Sequence, residues 1–136
     1  MYSNKIAIVI RTALQDWQKL NVASFLASSV AIRFPETHGK PFITASGIEY
    51  LPFIKHPILL YKAEASNQIT RTFNRAKERK LHIGIYTRSL FSTKNEEENL
   101  IEIKKCSESE MELVGIIIYG ENKKVDKAID NLKLHP

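Results

Sequence analysis

Two polar clusters in this chain carry the residue types of an anion site. The first is Arg11, Thr12, Lys19 and Asn21. A guanidinium, an ammonium and the free N–H groups of a helix start make a cradle for phosphate or carboxylate. Trp17, the only tryptophan, falls between them. It offers a stacking surface for a ring, or simply covers the end of a sheet. The second cluster is Tyr86, Thr87 and Arg88. If the two meet, the expected site is a pocket for a small anionic or nucleotide-like ligand. The catalytic residue is left open, with Lys19 and Thr87 as the candidates. The plainer reading is a polar sheet rim, with Arg11 in a surface salt bridge and no ligand.

The elements that must position these residues are legible from periodicity. Residues 5–11 are nearly all apolar, as in a strand buried on both faces. Asp16 reads as the N-cap of a helix that Pro35 ends. In it Ala23, Ala27 and Ala31 recur at spacing four, which predicts a close approach of helix to sheet along that stripe, flanked by Leu20, Val30 and Phe34. An irregular excursion at 41–52 contains a hairpin, 42–44 against 48–50. A second strand spans 57–62 and a second helix 66–80, with Ile69, Phe73 and Ala76 inward. The third strand spans 81–86, and a polar loop or single helical turn spans 87–93. Asn95-Glu-Glu-Glu98 has the form of a capping box and opens a short helix to about Lys104. The fourth strand, 113–119, is apolar throughout and therefore central. Gly120 turns the chain, and Asn122 caps a last helix with Val125, Ile129 and Leu132 inward.

This order predicts one domain over 1–136. The expected architecture is an α/β three-layer sandwich, with a small mixed or mainly parallel four-stranded sheet flanked by helices. Open α/β sheets place ligands outside the C-terminal ends of their strands. The proposed pocket therefore requires the strand at 81–86 to run in the same direction as the strand at 5–11. An opposite direction moves Tyr86 and Thr87 to the other edge.

Other constellations carry less chemistry. Arg71, Arg75 and Arg79 recur every four residues beside Lys77 and Lys80, but Glu78 interrupts them, as on a solvated helix face. His38, His56, His82 and His135 lack metal-ligand spacing, so no metal is expected. Cys106, the only cysteine, lies in a polar stretch with no adjacent base and reads as a surface thiol. Ser24 and Ser28 have no nucleophile-elbow context. No dinucleotide fingerprint or Walker loop is present, and no cofactor is expected.

The chain has 136 residues, 43% hydrophobic and 26% charged, which fits a globular domain with a real core. Its formal net charge of +5 makes an anionic partner electrostatically easy. No apolar run approaches the roughly 20 residues of a membrane span, and none reads as a signal peptide. The expected location is a reducing cytoplasm.

The order of elements resembles the type-two peptidyl-tRNA hydrolase fold. Three segments carry the likeness: 5–11 with the following Lys-containing turn and Val-Ala-Ser helix, the helix–strand unit 73–86, and Leu113-Val-Gly115 with the closing helix and Leu132-Lys-Leu134. A nearer likeness is to a bacterial family called "domain of unknown function two thousand", which shares that fold. Residues 17–28, Tyr50-Leu-Pro52, Ile85-Tyr-Thr87, Val125-Asp-Lys127 and Leu134-His-Pro136 carry it. The resemblance implies the fold and supplies no activity. Of the hydrolases' two lysines, one matches Lys19 and the other falls at Asn21. Their helical His falls at Ser28, and their Asp after the third strand falls near Thr87. Asn, Ser and Thr do not move protons unaided near neutral pH.

Three functions compete on this reading. The first is a binding module, or an enzyme of altered chemistry, for a small anionic or nucleotide-like ligand. The second, which the resemblance suggests, is a hydrolase of peptidyl- or aminoacyl-tRNA-type esters, in which Lys19 binds phosphate or polarises the ester and Thr87 or Ser28 positions water. The third is a non-catalytic homodimer built on the apolar strands and the hairpin near 42–50.

Overall fold

The computed structural model describes residues 2–136; Met1 lies outside the described residues. β1 (Asn4–Arg11) leads through a short turn into α1 (Asp16–Arg33). A 3₁₀ turn at Pro35–Thr37 and the hairpin β2 (Phe42–Ile43) and β3 (Glu49–Tyr50) precede β4 (Ile58–Ala63). Then come α2 (Ser66–Glu78), β5 (His82–Thr87), a 3₁₀ turn at Arg88–Ser92 and α3 (Glu96–Lys104). β6 (Leu113–Glu121), α4 (Asn122–Ala128) and β7 (Lys133–Leu134) close the chain.

The five-stranded sheet has the order β5-β6-β1-β4-β7. Only β1 and β4 pair in parallel; β1–β6, β5–β6 and β4–β7 are antiparallel. The sheet is therefore mixed and mainly antiparallel, not mainly parallel, and β7 adds a strand beyond the expected four. The apolar runs were a poor guide to strand direction. Their continuity reflects burial on both faces, which the helical layers impose whichever way the strands run. β6 lies between β1 and β5 and runs against both, so β1 and β5 point the same way. Their C-terminal ends share one edge, as the proposed pocket requires.

The pleat divides the core into two layers. Ile6, Ile8, Ile10, Val114, Ile117 and Tyr119 face α1, where Val22, Leu26 and Val30 are buried. Ala7, Val9, Ile116 and Ile118 face the other side, against Ile69, Phe73 and Ala76 of α2 and Val125 and Ala128 of α4. Each large side chain fully buried there contributes about 1.5–3 kcal/mol.

The close approach of α1 is not made by its alanine stripe. Ala23 and Ala27 are only half-buried. The room comes from glycines in the sheet: a Cβ on Gly115 would meet Val22 Cγ1, and one on Gly84 would stand 2.8 Å from Ser29 Oγ. The cap of α1 is Gln15 rather than Asp16, and its backbone N–H donates to Gln18 Oε1 at 2.9 Å. Gly120 stays within β6, opposite Lys5, and the chain turns after Glu121. Asn122 opens α4 as its first residue rather than its cap. At α3 the cap is as expected: Asn95 Oδ1 accepts from the Glu98 N–H at 2.9 Å.

Candidate functional site

At the shared C-terminal edge of β1 and β5, on the α1 face, lies a cavity of about 380 Å³. That volume falls in the range of small-molecule sites. α1 supplies Trp17, Asn21, Phe25 and Ser29, which recur every fourth residue and so share one flank of the helix. β5 supplies Ile85 and Tyr86. The 3₁₀ turn after β5 supplies Leu90 and Phe91, and the entry to α3 supplies Thr93, Lys94, Asn95 and Asn99.

The aromatic rings form a connected wall. Trp17 meets Phe91 edge-on at 5.8 Å between centroids, Phe91 lies 5.1 Å from Tyr86, and Tyr86 lies 6.3 Å from Phe25. Contacts of this geometry add to apolar burial. Tyr86 is 8% exposed, and burial raises its phenol pKa above the ordinary value. It therefore enters the site as a neutral hydroxyl.

The polar lining is mostly amide and hydroxyl. Trp17 Nε1 donates to Gln15 Oε1 at 2.7 Å, which holds the indole at the mouth. The Thr93 hydroxyl donates to Leu90 O at 2.8 Å and is also hydrogen-bonded to the Asn99 amide. These bonds tie the turn to α3 while leaving amide capacity on Asn99 and Asn21. Lys94 is the one cation among the described lining residues, which include no carboxylate or imidazole.

Of the residues singled out from sequence, Trp17, Asn21 and Tyr86 border this cavity and the others do not. Arg11 is two residues beyond Val9 and so shares its side of the sheet, which faces α2. Its Nε is buried without a hydrogen-bond partner. Thr87 pairs with Leu113 in register, faces α2 as well, and bonds Ser89 Oγ at 2.9 Å. Thr12 extends the β1–β4 pairing through its N–H to Ala63 O. Arg88 is held by Glu112, Nε to Oε2 at 2.6 Å. Lys19 is half-buried on the flank of α1 away from Asn21 and Phe25. The two clusters thus share an edge, but the sheet stands between Arg11 and Tyr86.

The family model "Protein of unknown function (DUF2000)" matches residues 4–136. The chain belongs to this family. A solved structure of a protein of unknown function from Agrobacterium tumefaciens strain C58 is similar to it over 100% of both chains, at 29% sequence identity and a TM-score of 0.94. No curated protein matches the sequence.

The lining of this DUF2000 cavity was only partly visible in sequence. The spacing of Trp17, Asn21, Phe25 and Ser29 was a usable signal for one helix flank. Phe91, Lys94 and Asn99 gave no such signal, because their approach to α1 depends on how the turn after β5 folds back. Among the described residues no group of His, Cys, Asp and Glu could hold a metal, and no helix is long and apolar enough to cross a membrane.

Proposed function

We propose that this chain binds a small nucleotide-like ligand, a flat ring carrying one anionic group, in the cavity between α1, β5 and the entry to α3. The observation that carries the reading is the wall of Trp17, Phe25, Tyr86 and Phe91 beside the amides of Asn21 and Asn99. Aromatic faces stack on heterocycles for about 1–3 kcal/mol per base. Side-chain amides both donate and accept, which suits the edge of a ring bearing carbonyl and amino groups. Lys94 takes the anionic group, in place of the cradle expected of Arg11 and Lys19. The protein acts first as a binding module, because a proton transfer within the lining would fall to Tyr86 or Lys94. Its place of action is a reducing cytoplasm, in keeping with its single, exposed Cys106.

Titration with nucleoside monophosphates and with the matching free bases, followed by Trp17 emission and calorimetry, tests this. Phe91→Ala and Asn21→Ala should each weaken binding about tenfold or more, the loss of roughly 1.4 kcal/mol. Lys94→Ala should weaken the monophosphate and spare the free base. Absence of saturable binding, or binding indifferent to Phe91→Ala, overturns the proposal.

A second reading is hydrolysis of peptidyl- or aminoacyl-tRNA-type esters on a type-two peptidyl-tRNA hydrolase fold. It is favoured by the position of the cavity, between the start of α1 and the end of β5, where that resemblance puts its machinery. Lys19 and Thr87, the residues expected to bind phosphate and position water, lie outside the cavity, so under this reading those roles fall to Lys94 and to Asn21 with Tyr86. Turnover of a charged tRNA that is lost in Lys94→Ala supports it; no turnover by the wild-type chain refutes it.

A further inference from the structure

The segment between the first 3₁₀ turn and β4 stands out from the body as an apolar arm. Phe42, Ile43, Ile48, Tyr50, Leu51 and Phe53 are all more than half exposed, with Leu51 at 84% and Phe53 at 73%. Within the arm, Phe42 packs on Phe53 at 4.8 Å between ring centroids. The root, by contrast, is fixed. Gly39 N–H donates to Phe53 O at 2.9 Å and Lys55 N–H to Thr37 O at 2.8 Å, and Ile54 packs into the α1-side core. A firmly rooted arm loses little conformational entropy when it docks.

The same face carries an uncovered strip of sheet. α1 lies over β1, β5 and β6. Ile58 and Leu60 of β4 pair with Ile6 and Ile8, so they share the α1 face, yet they are 37% and 38% exposed. The half-buried Ala23 and Ala27 lie on the flank of α1 toward β4, opposite the flank of Asn21 and Phe25. Their small side chains leave the strip open.

We propose that the chain forms a two-fold homodimer in which the 41–54 arm of each copy lies on the uncovered β4 strip of the other. The area argues for a protein partner of this size. At about 200 Å² for a fully exposed large side chain, the arm presents roughly 780 Å² of apolar residue surface, and Ile58 and Leu60 of the strip roughly 150 Å² more. The largest apolar patch of a typical monomer is about 300–600 Å², and a standard interface buries about 800 Å² on each partner. The charges argue for this occupant. Glu49 is the only charged residue in 41–54, so the arm has no cation for nucleic acid or for anionic lipid. The strip ends beside Lys62 and Lys133, paired across β4 and β7; Lys62 already meets Glu64 at 3.2 Å, which leaves Lys133 to complement Glu49 of a second arm. Symmetry closes the arrangement: each copy brings one arm and one strip, so two contacts form and no arm is left over to build a filament.

Sedimentation velocity of the full chain over a wide concentration range tests the proposal. The expected species has twice the 15.6 kDa chain mass. Leu51→Asp with Phe53→Asp, on exposed arm positions, should yield a monomer with unchanged far-UV circular dichroism. Leu60→Asp on the strip should also dissociate the dimer. A wild-type chain that stays at the monomer mass overturns the proposal, as does a dimer that survives the arm variant. A dimer lost in the arm variant but intact in a folded Leu60→Asp chain overturns the arm-on-strip arrangement. If Leu60→Asp does not fold, the arm variant decides. A monomer whose arm instead carries it onto phosphatidylcholine vesicles refutes the dimer in favour of a membrane.

Discussion

Gly115 lies directly beneath Val22: a Cβ on the glycine would meet Val22 Cγ1, and would stand 3.2 Å from Leu26 Cδ1. The missing side chain near the start of β6 sets how deep α1 sits. α1 in turn carries Trp17, Asn21, Phe25 and Ser29 to the cavity, so the site depends on a packing contact on the sheet below it.

Gly115→Ala should therefore destabilise the fold by about 1–3 kcal/mol, the usual cost of overpacking a filled core. Urea denaturation checks this through a lower midpoint at unchanged slope. An unaltered midpoint would mean that α1 rises without penalty.

Trp17, 52% exposed beside Phe91, is the only tryptophan. Its emission should shift to the blue as a ring enters the cavity and excludes water from the indole. Trp17→Phe should abolish the optical signal while calorimetry still detects binding. A ligand that binds without changing the emission would lie elsewhere.

His56 is buried and stacks on Tyr2 at 4.2 Å. Burial, aided by the charge of Lys55 and opposed by Glu36, holds its pKa below the ordinary 6.5. The unfolded chain then binds the proton more readily than the folded one. The contribution to stability is complete above about pH 6.5 and is lost as the pH falls toward the depressed folded pKa, flattening below it. His56→Gln should remove this slope. A wild-type midpoint that does not fall between pH 7 and 5.5 would contradict it.

Tyr119 is 1% exposed, and its hydroxyl donates to Glu36 Oε2 at 3.1 Å and accepts from Asn4 Nδ2 at 3.4 Å. Tyr119→Phe should cost about 0.5–1.5 kcal/mol, because both partners can turn to water. Thermal unfolding measures it; a larger loss would show that the partners stay buried.

Arg88 and Glu112 form an exposed pair at 2.6 Å outside the cavity. Glu112→Gln should change stability by less than about 1 kcal/mol. Arg88→Ala should leave the affinity for any cavity ligand unchanged, and a measured loss would return Arg88 to the site.

Period and punctuation made most elements readable. The spacing of Ile69, Phe73 and Ala76 gave the inner face of α2, and Asn95 with Glu98 gave the start of α3. The hairpin around Gly47, whose φ is +86°, followed from its turn residues. β7 was missed because Lys133–Leu134 is too short to show any period. Strand direction was missed because apolarity has no sense of direction.

The sequence by itself determined the helices and main strands, the burial of β1 and β6 on both faces, and the edge at which polar groups collect. These are local properties of composition and period. The tertiary structure alone decided which of those groups meet. Trp17, Asn21 and Tyr86 come together because Gly84 and Gly115 let α1 down onto β5 and β6 and the turn after β5 folds back against it. Arg11 and Thr87 do not join them, because the pleat turns both toward α2, and a single residue's step along a strand carries a side chain through the sheet.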